Sequence, residues 1–174
     1  SQGENVSDIM HNLLSIAPYA TCLRTHSLVQ SSPLYLEIFS IKSSLQYDFS
    51  LLTPGLGLAR KIPWDFKNTK FYRLNYQWED DCYFDIENYN WKDISLAGPN
   101  SILDFHPIHI ALNSSSQSSY NRLKSRLNGR SLQEIERSDI KGLVNEGEGT
   151  NNALINILKS RKCVSFEDLL CELD

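Results

Sequence analysis

Amphipathic helical segments alternate with short apolar segments along much of this chain, and that alternation constrains the fold most. The first helix is predicted from apolar residues at helical spacing, which share one face: Val6, Ile9, Met10, Leu13, Leu14 and Ala17. Ser32 followed by Pro33 predicts the start of a second helix, which continues to about Lys42. Proline suits this position because the first helical N–H needs no partner within the helix.

Short apolar runs between and after these helices predict strands at residues 20–23, 45–49, 71–76 and 102–105. Residues 53–70 are rich in proline and glycine and predict a long loop. After a serine-rich stretch, further helices are predicted at residues 120–127, 151–159 and 165–173. This order favours an α/β fold with a mainly parallel sheet, flanking helices and a helical C-terminal tail.

Charge and composition exclude several classes of function. The net charge is -4, with 17 basic and 21 acidic residues and no basic stripe, so we expect no nucleic-acid partner. No apolar run is long enough to span a membrane, and no signal peptide is visible. The four cysteines form no CxxC pair, which favours free thiols in a reducing compartment. These features together predict a cytoplasmic protein.

Three of the predicted strands run directly into clusters of polar residues. The clusters are Arg24-Thr25-His26, Trp78-Glu79-Asp80-Asp81 and His106-Pro107-Ile108-His109. In α/β folds, active sites form where the carboxyl ends of several strands meet. We therefore predict that these clusters converge on a common pocket.

The histidines of the third cluster could transfer protons at neutral pH or bind a metal. The HxxH spacing is weak evidence for a metal site, because it is neither HExxH nor accompanied by cysteine. On a continuing strand, His106 and His109 would face opposite sides, so His106 is favoured as the pocket residue. A surface or core position explains either histidine equally well.

The other two clusters also allow two interpretations. On an extended strand end Arg24 and His26 point the same way, and the guanidinium could orient a carboxylate, although a surface arginine is the simpler explanation. The carboxylates of residues 79–81 could pair with Arg24 or form a solvated loop. The aromatic residues between 64 and 91 suit sugar rings, or an ordinary hydrophobic core.

Taken in order, the three clusters resemble the third, fourth and fifth motifs of the polysaccharide deacetylases, carbohydrate esterases with a distorted (β/α) barrel. The matching residues are Arg24-Thr-His26-Ser, Trp78-Glu-Asp80-Asp81 and Leu103-Asp-Phe-His106-Pro. Residues 105–110 and 147–150 are similar to a subgroup associated with bacterial surface-polysaccharide biosynthesis. The resemblance, which spans roughly residues 1–160, implies metal-dependent hydrolysis of N-acetyl groups on a sugar.

The resemblance also implies roles for individual residues. Arg24 would orient the catalytic base, Asp80 or Asp81 would hold Arg24, and His106 would be the acid that protonates the leaving amine. Three further residues would contact the carbohydrate substrate: His26, Trp78 and His109. A divalent metal, zinc, is expected for the family.

The chain departs from the family pattern in its missing motifs. The first motif, with the catalytic and a metal-binding aspartate, and the second, with the metal-binding histidines, have no counterpart, so no metal ligand is assigned. Leu103 also lies three residues before His106 rather than two. We therefore expect a truncated or degenerate relative or one part of a split enzyme. Residues 1–112 would form the C-terminal half of the barrel, and residues 113–174 a helical extension packed on the same domain.

Two alternatives to a working enzyme stay open at this point. The chain could be a non-catalytic carbohydrate-binding or assembly module that keeps the sugar cleft, and whether catalysis is retained is undecided. A half barrel would expose strand edges, which recruit partners. We therefore expect a homodimer, an N-terminal half supplied by another segment, or strand edges covered by the C-terminal helices.

Overall fold

The described residues of the computed structural model are 5–41, 44–92, 94, 100–160 and 163–173. The chain divides into two units, the first comprising residues 1–77, 98–102 and 166–174, and the second comprising residues 78–97 and 103–165. Each unit has its own hydrophobic clusters. The expected division into residues 1–112 and 113–174 stays a prediction.

Seven α-helices and six strands lie in the described residues. In chain order they are α1 (Val6–Ile16), β1 (Cys22–Leu23), α2 (Ser32–Ile41), β2 (Tyr47–Leu52), β3 (Lys61–Phe66), β4 (Thr69–Tyr76), β5 (Trp78–Glu79), β6 (Leu103–Asp104), α3 (Pro107–Leu112), α4 (Gln117–Leu127), α5 (Arg137–Ile140), α6 (Thr150–Ser160) and α7 (Phe166–Leu173). None of these described helices has the length and apolar character needed to cross a bilayer.

The larger sheet lies in the first unit and has the strand order β1-β2-β4-β3. Its β1–β2 and β2–β4 pairs are parallel, and β3 pairs with β4 antiparallel. The second unit has a parallel pair, β5–β6. The α/β class, the mainly parallel sheet and the C-terminal helices are thus confirmed. Among the described residues no sheet closes into a barrel, so that part of the expectation is not confirmed.

Helix α2 packs against β4, and helix α1 packs against α2. Asn5 caps the start of α1, since its side-chain oxygen accepts a hydrogen bond from the Asp8 N–H at 2.9 Å. Met10 of α1 belongs to the same buried cluster as the aromatic residues of α2 and β4. The rings of Phe39 and Phe71 stack with centroids 3.9 Å apart. This aromatic packing joins the helical layer to the sheet.

The predicted loop at residues 53–70 is wrong in its second half, because β3 and the start of β4 lie there. Pro63 is unfavourable in most strands because proline lacks a backbone N–H. β3, however, is the edge strand of the sheet, where the missing N–H costs little. Lys67 and Asn68, between the strands, have φ values of 47° and 64°. Two left-handed residues make the tight turn of a two-residue hairpin, and the sequence there lacks the glycine that signals one.

Helix α3 was not predicted, and it begins where a continuing strand was assumed. β6 ends at Asp104, and His106 is the extended residue that precedes the helix. Pro107 occupies the first turn, the position that proline favours. Residues three apart on a helix lie on one face, so His106 and His109 are not separated as they would be on a strand.

Asn113 joins the end of α3 to the start of α6. Its backbone is left-handed, at φ 47°, and its amide group donates hydrogen bonds to the carbonyls of Asn145 (2.9 Å) and Gly147 (2.8 Å). Its side-chain oxygen accepts the Asn151 N–H at 3.1 Å. Gly149 lies so close that a Cβ there would be 2.1 Å from the Asn113 carbonyl oxygen. Only glycine therefore fits position 149 beside this asparagine.

We predict that Gly149→Ala destabilises the protein by about 1–3 kcal/mol, because the added methyl group overlaps backbone that cannot move aside easily. Gly147→Ala is the matched control, since its added Cβ would meet the Asn145 side chain at 3.4 Å, an ordinary contact. Urea unfolding followed by circular dichroism measures both. Equal stability of the two variants would contradict the close packing at Gly149.

Candidate functional site

The parallel pair β5–β6 brings two of the predicted clusters together in the second unit. Trp78 pairs with Leu103 and Glu79 with Asp104. Asp80 follows β5 directly, and His106 follows β6 after one intervening residue. Because both strands end at the same edge, their next polar residues become neighbours. These two clusters are therefore neighbours in this unit, and the convergence of all three clusters on a common pocket stays a prediction.

Asp80 holds His106 by two hydrogen bonds. Its Oδ2 accepts the His106 backbone N–H at 3.0 Å, and its Oδ1 lies 2.7 Å from the ring Nδ1. Asp80 is fully buried, and its Oδ1 also accepts the backbone N–H of Asp81 at 2.9 Å. An ionised carboxylate only accepts, so Nδ1 of His106 carries the proton and Nε2 is left for other chemistry.

The surroundings raise the pKa of His106 above its ordinary value of 6.5. The hydrogen bond to Asp80 is the largest cause, and the negative charges of Asp80, Asp104 and Asp81 act in the same direction. Burial opposes them by penalising the charged ring. The ring is nevertheless 30% exposed, so a protonated His106 remains reachable by a ligand. This combination is what a general acid near neutral pH requires.

Glu79 is a site residue that the sequence analysis did not single out from its cluster. Its Oε1 lies 3.7 Å from Nε2 of His106, and its side chain is only 8% exposed. His106 therefore lies between two carboxylates, Asp80 at Nδ1 and Glu79 at Nε2. The adjacent acidic residues were visible in the sequence, but only the β5–β6 register decides which of them face the histidine.

His109 lies one helical turn beyond His106, and the ring centroids are 5.5 Å apart. The ring is buried against the edge of Phe84, and its Nδ1 lies 3.4 Å from the Ser114 hydroxyl. Burial lowers the pKa of His109, as does the positive charge of His106. His109 is therefore the neutral member of the pair at neutral pH. Its predicted contact with substrate stays a prediction.

Trp78 and Asp81, the other predicted residues of the second cluster, lie in different surroundings. Trp78 is 2% exposed, and its indole N–H donates to the Tyr89 hydroxyl at 2.7 Å. Tyr83 stacks on Trp78 with centroids 5.6 Å apart. Asp81 is exposed. The indole belongs to the aromatic core beneath the site, and its predicted contact with a sugar stays a prediction.

Arg24 and His26 belong to the first unit. Arg24 follows β1, donates from Nη2 to the Tyr76 hydroxyl at 3.3 Å, and places its guanidinium 5.5 Å from the centre of the Tyr76 ring. His26 is exposed and begins a short 3-10 turn, so the extended strand end assumed for these two residues stops at Arg24 and Thr25. The predicted approach of Arg24 to the aspartates stays a prediction.

Three groups of described residues bring possible metal-binding atoms close together: Asp80, His106 and His109; Glu79, Asp104 and His106; and Glu79, Asp81 and Cys82. In the first, both oxygens of Asp80 are already bonded to His106. The second would occupy Nε2, the nitrogen that an acid needs. In the third, burial and nearby carboxylates raise the pKa of Cys82 to about 11, which disfavours the thiolate that binds metals. None of these three groups is therefore suited to bind a metal while Nε2 of His106 stays free to donate a proton.

Comparisons with known proteins point to one class, the polysaccharide deacetylases. Residues 1–124 match the family described as WbmS-like polysaccharide deacetylase, and the chain belongs to that family. It is also similar to a solved Bordetella bronchiseptica protein, WbmS, assigned to polysaccharide deacetylation in O-antigen biosynthesis. The TM-score is 0.70 and the identity 28%. The likeness covers 93% of this chain and 64% of that one. No curated protein matches the chain.

We predict opposite titration behaviour for the two histidines, to be measured by NMR of their ring signals. His106 titrates above 6.5 and His109 below it. His106 therefore adds stability that is present below about pH 6.5 and is lost as pH rises through its raised pKa. The contribution of His109 to stability is present above about pH 6.5 and is lost as pH falls through its lowered pKa.

Asp80→Asn is expected to lower the pKa of His106, because the amide cannot balance the charge of the imidazolium. Asp85→Asn is the matched control, since Asp85 is an exposed aspartate of the same unit. An unchanged His106 titration in Asp80→Asn would show that Asp80 does not set its protonation.

Proposed function

We propose that this chain takes part in the hydrolysis of N-acetyl groups on a carbohydrate, with His106 as general acid and Asp80 as the residue that orients it. The observation that carries the proposal is the two-point hydrogen bond between Asp80 and His106, in a chain of the polysaccharide deacetylase family. The substrate class comes from that family. A surface polysaccharide is its more specific form, by analogy with the Bordetella relative.

Amide hydrolysis requires that the leaving nitrogen gain a proton, because an unprotonated amine anion is a very poor leaving group. With Nδ1 held by Asp80, the proton at Nε2 is the one that His106 can donate. The raised pKa of His106 keeps this proton in place near neutral pH. After transfer, Asp80 still holds the neutral ring in the same tautomer, ready to be protonated again.

The remaining residues take supporting roles in this proposal. Arg24 is proposed to orient the carboxylate that acts as base, which the family's first motif supplies and for which no residue of this chain is assigned, since a guanidinium binds carboxylates in a fixed geometry. The family motifs give Asp80 or Asp81 as the proposed partner of Arg24. Three residues are proposed to contact the sugar or support the surface that does: His26, Trp78 and His109.

Polysaccharide deacetylases generally use a divalent metal, which supplies a polarised carbonyl and an activated water when bound. The described residues offer no metal site that is compatible with an acidic His106, so the roles proposed for this chain include no metal-bound step. The truncated or degenerate form and the cytoplasmic location also stay predictions. The steps assigned to His106 and Asp80 are independent of these points.

We predict that His106→Ala lowers turnover of an N-acetylated oligosaccharide by roughly 10²- to 10⁴-fold, the usual contribution of a positioned acid. Release of acetate is measured with and without added zinc. His11→Ala is the matched control, because His11 is exposed on α1 and its described hydrogen bonds go to Ser7 of the same helix. Unchanged turnover in His106→Ala would remove His106 from the site.

Calorimetry with the same oligosaccharides, with and without chelator, separates the enzyme from the alternative of a binding module. Binding together with acetate release supports the enzyme. Binding that needs no metal and gives no acetate favours a non-catalytic carbohydrate-binding protein. Absence of both binding and turnover would reject both functions.

A further inference from the structure

A second buried carboxylate, Asp48 on β2, has no role in the chemistry proposed above. It is fully buried, and its Oδ2 accepts hydrogen bonds from the Tyr35 hydroxyl at 2.9 Å and from Nε of Arg73 at 3.0 Å. Its Oδ1 accepts the backbone N–H of Ser50 at 3.0 Å. Asp48 and Arg73 are direct partners across the parallel strands β2 and β4. Burying such a pair carries a desolvation cost that apolar residues would avoid, so its presence calls for a specific use.

Ser50, the neighbour of this pair, binds the segment that follows Arg24 at two points. Its hydroxyl accepts the Thr25 backbone N–H at 2.8 Å, and its carbonyl accepts the side-chain amide of Gln30 at 2.5 Å. Between these points Ser27 and Leu28 have φ values of 52° and 53°. Two successive non-glycine residues in the left-handed region are costly, and such a backbone persists only where its surroundings hold it.

Arg73 completes a closed ring of hydrogen bonds. While its Nε binds Asp48, its Nη2 donates to the side-chain oxygen of Gln30. The ring consists of four residues, which we call the Asp48 network: Gln30, Asp48, Ser50 and Arg73. A guanidinium can make both bonds at once because its donors form a rigid fork, and a lysine ammonium in the same place could not keep both directions.

We propose that the Asp48 network positions Arg24, by fixing the segment 25–30 at both of its ends. The inference rests on the proposed function in one respect, which is that Arg24 acts in the reaction. The buried pair anchors the network, Ser50 holds Thr25 next to Arg24, and Gln30 holds the far end. The members of the network are positioning residues, because they act on the reaction only through this segment.

The first test is Gln30→Ala, which removes the far attachment and leaves the buried pair intact. Hydrogen exchange of the amides in residues 25–29 is expected to quicken roughly 2- to 10-fold, because the two side-chain hydrogen bonds of Gln30, with Ser50 and Arg73, are lost. Trypsin should also cut faster after Arg24. Gln46→Ala is the matched control, an exposed glutamine that immediately precedes β2 in the same unit. Unchanged exchange in residues 25–29 would overturn the proposal.

The second test is Arg73→Lys, which keeps the charge next to Asp48 and loses the fork. It should quicken the same amides as Gln30→Ala, and the double variant should add little to Gln30→Ala, because both single changes lose the bond between Arg73 and Gln30. Full additivity of the two changes would contradict a shared ring. The hydrogen exchange of each single variant can be compared with that of the wild-type protein even if the other single variant folds poorly.

Activity provides the readout that a purely structural role would not change. Gln30 is exposed, so Gln30→Ala should leave the melting temperature near that of Gln46→Ala. The expected result is a several-fold lower kcat with KM unchanged, because the substrate still binds while Arg24 is less well oriented. Faster exchange with unchanged kcat would overturn the positioning role.

Failure of the proposed function has a different signature from failure of this inference. If wild-type protein releases no acetate, the proposed function fails, and the exchange and trypsin measurements still report whether the Asp48 network fixes residues 25–30. If wild-type protein is active and exchange in Gln30→Ala is unchanged, the inference fails alone.

Discussion

The candidate site depends on the pair of hydrogen bonds from Asp80 to His106. One bond holds the backbone and the other the ring, so the same carboxylate fixes both the chain direction after β6 and the tautomer of the imidazole. The carboxylate is fully buried, and in a low-dielectric environment its bonds are stronger than they would be in water. The raised pKa of His106 follows from this arrangement, and so does its suitability as an acid.

Two histidines one helical turn apart differ in charge because their neighbours differ. His106 is hydrogen-bonded to Asp80, and the negative charges of Asp80, Asp104 and Asp81 favour the protonated ring. His109 is packed among Phe84, Tyr120 and Ser114, and its burial outweighs the opposing negative charges of Asp80 and Asp81. In the same way, Asp48 in the other unit is satisfied by Arg73 and serves to hold backbone. Residue type alone therefore does not decide which of these titratable groups takes part in the proposed reaction.

Sequence patterns predicted the regular elements best where they were long and periodic. The helices α1, α2, α4, α6 and α7 lie close to their predicted places. The predictions failed for β3 and α3, because the effect of the proline in each depends on its position in the tertiary structure. Pro63 is tolerated because β3 is an edge strand, and Pro107 begins a helix because the chain turns after β6.

The sequence by itself determined the family and the α/β class, and it placed polar residues immediately after apolar strands, because hydrophobic periodicity and short motifs are local properties of the chain. Only the tertiary structure decided that Asp80, rather than Asp81, binds His106, that Glu79 faces the other ring nitrogen, and that Trp78 is buried. These choices depend on the register of β5 against β6 and on the packing around them. Such contacts join residues about 25 positions apart, and no local pattern encodes them.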